Sequence, residues 1–360
     1  MARSIEVLCT WERTASLEED WNRLAAEKGI WFSFTNYHWF ACWYDAFCPQ
    51  GAARIVVIRK QGEVVGIIPG LHVRKRIGPF TLSCFAYAAN GLTPNTVLML
   101  DERLMQDEGL LQEVLAAMPE QADMLEVPSV TADGAEWRLL NSQGQRFSLF
   151  EENRYTSYSV DMPEGLQRYL DGRSARFRKE FRHRFNKVSK EFEIGFEVIP
   201  FGSESGLERL KSLSGRTWQE ANGSGLFSEK YARFFQRLLS EPVENCYLAF
   251  LLLNGVDAAF ALFQSDGDTL ISYKIGFDAV YKAWSPGELL RRRIYETSSE
   301  AGVRRYLLLG GFTESKKAWA TDTEELVNYW IFPNRGCKAR FVYQALNARR
   351  KLKALYEARN

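Results

Sequence analysis

Within this 360-residue chain, the segment best suited to chemistry is a helix start built to hold an anion. Tyr273 to Gly302 reads YKIGFDAVYKAWSPGELLRRRIYETSSEAG. Ser285 is a good N-cap, Pro286 suits the first helical position, and Glu288 follows the cap by three residues, which predicts a Ser285–Glu288 capping box. Leu289, Leu290, Ile294 and Ala301 give an apolar stripe, and Gly302 supplies the stop. Such a start presents unpaired backbone N–H groups and the positive end of the helix dipole; Gly287 allows a ligand close to the backbone, and Lys282 stands beside it. The alternative is a well-capped helix with no ligand.

A second charged group lies at 173–190, RSARFRKEFRHRFNKVSK. Phe177, Phe181, Phe185, Val188 and Phe192 recur at steps of three or four, while Arg176, Arg178, Lys179, Arg182, Arg184 and Lys187 fill much of the remaining circumference. Only Glu180 and Glu191 interrupt the positive charge. The segment is read as a landing site for a phosphorylated ligand or a phosphate backbone, against the alternative of a solvated cationic face. Other chemistries lack their parts. His38, His72 and His183 stand in no triad context, and there is neither a Gly-rich phosphate loop nor a dinucleotide fingerprint. Cys9, Cys42, Cys48, Cys84, Cys246 and Cys337 include no pair at the two-residue spacing that zinc sites favour, so no metal is expected.

The elements that must position these residues are those of a globular chain of about two domains. Hydrophobic residues make up 46% and charged residues 25%, and the net charge of +1 argues against a surface shaped as a whole for nucleic acid or anionic membrane. No run of about 18 apolar residues is present, so no transmembrane segment is expected and the protein is read as cytoplasmic. Trp11 to Ala26 reads as a short surface helix, and Thr35 as the cap of an aromatic, buried helix through Phe47. Two strands then meet at Gln61–Gly62. The same order returns with a helix from Phe227–Ser228 and strands meeting at Asn254–Gly255, an offset of roughly 193 residues that predicts a duplicated domain. Only the second half adds a third strand, Thr269 to Phe277, leading into the basic loop and capped helix, so that half is expected to bind an anionic cofactor. Beyond it come a strand ending at Gly310–Gly311, then Glu314, Lys316 and Trp319, a strand over 326–332 and a basic helix over 341–358 whose charge reads as solubilising.

In this order the second half resembles the GNAT acyltransferases, most closely the tandem branch that includes the Fem peptidyltransferases and the acetyltransferase-like proteins of polysaccharide gene clusters. The residues carrying the resemblance are Tyr273 to Phe277, Asp278, Tyr281, Lys282 with Ser285-Pro286-Gly287, Gly302, Gly310–Gly311, and Lys316 three residues before Trp319. The family's aromatic before the late lysine is Ser315 here. The resemblance implies a mixed α+β fold of two tandem GNAT-like domains, each a mainly antiparallel sheet flanked by helices. Residues 1–155 would form the domain without a cofactor loop; residues 156–360 would form the acyl-CoA-binding domain, entered through the arginine-rich helix 173–190.

The same resemblance implies acyl transfer from acetyl-CoA or another acyl-CoA to an amine or hydroxyl of a sugar, sugar nucleotide or cell-envelope precursor, without a metal. Lys282, Ala283, Trp284, Ser285, Gly287 and Glu288 would receive the cofactor with Ile275 and Phe277. Lys316 would position or stabilise charge. Tyr273, Asp278 and Glu314 are acceptor contacts or proton carriers, against the alternatives of a packed strand residue, a turn former and a surface charge. Arg176, Arg178, Arg182 and Trp218 would meet the acceptor. A Fem-like transfer from aminoacyl-tRNA is the alternative, and a non-catalytic binding module the third; no DNA partner is expected.

Overall fold

The computed structural model describes residues 3–311 and 313–357. The chain forms two compact units, Met1–Thr156 with Glu324–Asn360, and Ser157–Thr323. Residues 324–360, which the sequence reading assigned to the second domain, therefore cluster with the first.

The first unit opens with β1 (Arg3–Leu8), a 3-10 turn over Trp11–Leu17, α1 (Glu18–Ala26) and α2 (Tyr37–Phe47). Trp21 of α1 is fully buried and its indole donates to the Thr35 carbonyl at 2.8 Å, while Glu18, Glu19 and Arg23 are exposed, so this segment is the expected surface helix, anchored by one buried face. Thr35 is not the cap of α2. Its hydroxyl turns back to the Trp31 carbonyl, and Asn36 accepts from the Trp39 N–H at 2.7 Å instead. The chain continues through β2 (Ile55–Lys60), β3 (Glu63–Ile68), β4 (Gly70–Ile77), β5 (Phe80–Tyr87), β6 (Met99–Leu100), α3 (Leu110–Ala117), β7 (Met124–Thr131) and α4 (Ala135–Ser142). One sheet has the order β1-β2-β3-β6; β4 and β5 form an antiparallel pair, and β5 runs parallel to β7.

The strand β8 (Phe147–Asp161) carries the chain into the second unit. There follow α5 (Gly165–Gly172), α6 (Ala175–Val188), β9 (Ile194–Pro200), α7 (Glu204–Ser214), α8 (Trp218–Ala221), α9 (Ala232–Ser240), β10 (Cys246–Leu253), β11 (Val256–Asp266) and β12 (Thr269–Phe277). After a 3-10 turn over Ala279–Trp284 come α10 (Pro286–Glu300), β13 (Arg305–Gly310) and α11 (Glu314–Trp319). The end of β8 pairs with β13, and the order runs on as β12, β11, β10, β9, antiparallel except between β12 and β13. Leu289, Leu290 and Ile294 of the expected stripe enter the core with Ala259, Leu270 and Tyr306, while Ala301, its fourth member, lies exposed just past the end of α10. β14 (Asp322–Pro333) pairs antiparallel with β7, and Phe332 joins Ala339 and Val342 of α12 (Cys337–Glu357) in the first unit's core.

The repeat extends to backbone detail. Both hairpins turn on left-handed pairs, Gln61–Gly62 and Asn254–Gly255, which supply the twist a two-residue turn requires. Each hairpin shifts register at matching places, between Ile58 and Arg59 in one and between Leu251 and Leu252 in the other. Each unit also places a parallel strand after its meander, β7 beside β5 and β13 beside β12.

One glycine fixes the approach of β11 to β12. A Cβ at Gly276 would lie 2.5 Å from Cζ of the buried Phe260 ring opposite it. The Gly276→Ala variant is therefore expected to lose about 1–3 kcal/mol by overpacking, read as a lower urea midpoint with an unchanged slope.

Candidate functional site

A fork in the second unit's sheet organises the candidate site. β12 and β13 pair only from Thr269–Ile271 against Arg305–Leu307 and then part. Both strands are irregular where they separate. β12 carries an extra residue at Tyr273 opposite Leu262/Phe263, and β13 one at Leu308, between the Ser159 and Tyr158 pairings. Leu309 adopts φ +63°, a conformation that costs a branched L-residue energy and is held only where its surroundings fix it. The Lys316 ammonium is part of that restraint, donating to the carbonyls of Leu309 at 3.3 Å and Gly310 at 2.7 Å.

The fork is strongly cationic. Burial pushes the Lys316 ammonium down to about 8, with the charges of Arg291 and Lys274 adding to the effect. Lys274 is likewise held near 8 by burial, its Nζ 5.0 Å from the centre of the Tyr273 ring. Glu288 supplies the facing negative charge. It accepts from Arg291 at 3.2 Å, from the Ser315 hydroxyl and from the Trp319 indole at 2.9 Å, and Arg184 stands 4.0 Å away. Burial opposes the Glu288 charge, yet Arg291, these two hydrogen bonds and Arg184 together hold its carboxyl below its usual range.

This network overturns the expected capping box. Ser285 lies in the left-handed region at φ +51° and its side chain caps nothing, while Glu288 points to α11. The basic loop also has less backbone to give than its sequence implies. The amides of Ser285, Glu288 and Leu289 bond to the carbonyls of Lys282, Ser285 and Ser285, and Pro286 has no N–H. Gly287 retains an N–H with no acceptor among the described residues. Its Cα lies beside Phe277 and Ile275, which a Cβ would approach to 3.6 and 3.8 Å. Lys282 and Ala283 are exposed, and Lys187 of α6 donates to the Ala283 carbonyl at 3.4 Å. The Trp284 indole donates to Glu191 at 3.1 Å and its ring meets Phe192 edge to face. The loop thus offers an anion cations and one amide, not a cradle of N–H groups.

The arginine-rich segment forms α6, capped by Ser174 through the Phe177 N–H at 3.2 Å. Its phenylalanines face inward: Phe177 and Phe181 meet Trp319, and Phe181 and Phe185 stack under the Arg292 guanidinium. Arg173, Phe181, Arg184, Ser285, Glu288 and Trp319 are among the residues lining a cavity of about 660 Å³ between α6, α10 and α11. Much of the positive charge is answered locally. Arg176 pairs with Glu180 at 3.0 Å and Arg292 with Glu296 at 2.6 Å, while Arg178 donates to the carbonyls of Asp171 in α5 and Arg173 in the link before α6. Arg182 is exposed and lines a separate cavity.

The remaining sequence candidates fall into distinct surroundings. Tyr273 sits at the bulge against Phe235, and burial pushes its hydroxyl well up. Both oxygens of buried Asp278 are engaged, one by the Val280 N–H at 3.0 Å and one by Arg216 at 2.6 Å, the turn-forming alternative. Glu314 is exposed at the cavity rim, and Trp218 is 51% exposed on α8.

Several site residues carried no sequence signal. Lys274 is hidden in an ordinary strand pattern, and Arg291 is joined to the site by folding alone. Gln219 donates to the Ile275 carbonyl on the fork side of β12 at 3.2 Å, while its own Oε1 and Glu220 Oε2 are buried without a partner. Only their proximity to Trp218 in sequence pointed that way. No group of three or more acidic, His or Cys side chains able to hold a metal occurs among the described residues.

Residues 175–317 match the family described as Acetyltransferase (GNAT) domain. No curated protein matches the sequence. Among solved structures, FemX shares 13% identity over 96% of this chain and 99% of its own, with a TM-score of 0.58. The C-terminal domain of a putative lysylphosphatidylglycerol synthetase from Agrobacterium fabrum shares 14% over 92% and 96%, with a TM-score of 0.57. A protein of unknown function from Bacteroides thetaiotaomicron shares 13% over 92% and 100%, with a TM-score of 0.56. At these identities the likeness is one of fold. The chain is a mixed α+β protein whose fold is like that of FemX, and the stretch that matches the Acetyltransferase (GNAT) domain lies in its second unit.

Proposed function

We propose that this GNAT-fold chain transfers an acyl group, acetyl in the first instance, from coenzyme A to an amine or hydroxyl of a sugar, sugar nucleotide or other cell-envelope precursor. The observation that supports the reading most directly is the Lys316 ammonium fixed on the Leu309 and Gly310 carbonyls where β12 and β13 part. An ammonium has three N–H donors, so one remains for an oxygen that gains negative charge during acyl transfer. A donor held in place beforehand, in a site shielded from water, stabilises that charge without reorganising. The Ile275 N–H on the same side of β12 is a second donor to that oxygen, and the thioester itself supplies the activated carbonyl. Gln219 and Glu220 bring unsatisfied acceptor oxygens to the end of β12, suited to an incoming amine.

In this reading Lys282, Lys187 and the Gly287 N–H receive the pyrophosphate. Isothermal titration with acetyl-CoA tests it on the wild type and on Gly287→Glu, whose Cβ has ordinary van der Waals room. A carboxylate placed in the anion seat is expected to weaken binding at least about tenfold by like-charge repulsion. Equal binding by both proteins would remove the loop from the site.

One observation favours a second reading. A single free amide beside a cation-bearing α6 suits a donor held by many phosphates along a chain better than one held by a pyrophosphate cradle. That donor is aminoacyl-tRNA, and one structure of like fold is titled the C-terminal domain of a putative lysylphosphatidylglycerol synthetase. Steeply salt-dependent tRNA binding, with no thermal shift from coenzyme A, would favour it.

A further inference from the structure

Helix α12 carries two apolar stripes, one in the core and one exposed to solvent, the latter with Phe341 meeting the Phe80 ring edge to face. Ala339, Val342 and Leu346 pack into the first unit's core. On the opposite side Phe341, Leu352, Leu355 and Tyr356 are 57%, 67%, 61% and 72% exposed. At 3.6 residues per turn these four, with Ala345 and Ala348, fall within an arc of roughly 100°. Arg349 borders one edge of that arc, beside a Lys338 already paired with Asp123 at 3.0 Å, and Arg340 and Lys351 border the other. Over Cys337–Glu357 there are six Lys or Arg and a single acidic residue, whereas the whole chain has 46 basic and 45 acidic residues. The positive charge is therefore a property of this helix, set against a remainder that is net negative.

We infer that the distal half of α12 docks on an anionic lipid surface, the apolar stripe entering the interface and the flanking cations meeting lipid phosphates. Charge and shape select this occupant. A second copy of the helix would bring like charge against like charge along its whole length. Nucleic acid would answer the cations but leave Leu352 and Leu355 in water. An anionic interface satisfies both features at once, with long Lys and Arg side chains reaching the phosphates beside the apolar insertion. No described helix is long and apolar enough to cross a membrane, so the contact is a surface one. This inference is independent of the acyl-transfer reading, and its test needs no substrate.

The test is co-sedimentation of the full chain with vesicles of phosphatidylcholine alone and with about 30 mol % phosphatidylglycerol added, at low and high salt. Binding is expected on the anionic vesicles, falling with salt, and at least about tenfold weaker on the neutral ones. The Leu352→Ser/Leu355→Ser variant is expected to lose at least about tenfold with an unchanged melting temperature, since neither side chain contributes to the core. Lys351→Glu/Arg349→Glu should lose binding to the anionic vesicles specifically. Absence of vesicle binding, equal binding to both compositions, or full binding by the leucine variant would overturn the inference. So would a wild-type dimer that the leucine variant dissolves, which would assign the stripe to a second copy.

Discussion

A Lys316→Met variant is expected to turn over about 10²–10³-fold more slowly than the wild type while melting no lower at neutral pH. The two halves of this result have one cause. The ammonium sits where burial and the charges of Arg291 and Lys274 disfavour it, which holds its folded pKa near 8, below the ordinary lysine value of about 10.4. Between those two values the unfolded chain binds more protons than the folded one. Stability from this group therefore rises with pH across that window, and the full penalty is present below pH 8. Methionine keeps the stem and removes the penalty, offsetting the two lost bonds to carbonyls. Activity runs the other way. The proposed role needs the charged form, so kcat/KM of the wild type should be level below pH 8 and fall above it. Donor consumption measured against pH checks this, and a rise through pH 8 would instead assign Lys316 the part of a base.

The second large effect concerns Glu288. Replacing it with alanine leaves Arg291, whose side chain is 9% exposed, without its carboxylate, and removes the acceptor of Ser315 and Trp319. Breaking a buried pair from one side costs roughly 3–5 kcal/mol, which for a unit of this size lowers the melting temperature by roughly 10 °C. Replacing both partners, as Glu288→Leu/Arg291→Met, should recover most of that loss, because no buried charge is then left alone. Thermal unfolding of the two single variants and the double variant measures the coupling. Glu288's contribution is present at neutral pH and is lost in acid, below about 4.3, because the folded carboxyl is held below its ordinary range.

What was legible in the sequence follows from which forces act locally. The hairpins announced themselves because Gln61–Gly62 and Asn254–Gly255 must adopt positive φ, and only a few residue types do so cheaply. Helix α6 was legible from its phenylalanine spacing, and α10 from Pro286 and its apolar stripe. The capping box was misread because Glu288 had a better alternative: Arg291, Ser315 and Trp319 together outcompete a single backbone N–H, and two of those partners lie on another element. Lys274 was invisible for the same reason. A lysine in a strand is an ordinary surface residue until the neighbouring strand departs and a second lysine arrives from 42 positions away in sequence. The grouping of the residues after Thr323 with the first unit rests on the pairing of β14 with β7, which joins residues about 200 apart, a contact that no local pattern encodes.

The return of the chain at Glu324 also sets an order of assembly during synthesis. Ser157–Thr323 is one uninterrupted stretch and has every residue of its core once Trp319 has been made. The first unit, although begun earlier, lacks Phe332, Ala339 and Val342 until residues 332–342 have left the ribosome. The usual sequence, in which the N-terminal domain folds first, is thus not open to a first unit with its full core, which is completed after that of the second. The unit that holds the fork between β12 and β13 has its whole core in hand while the unit begun before it still waits for β14 and α12.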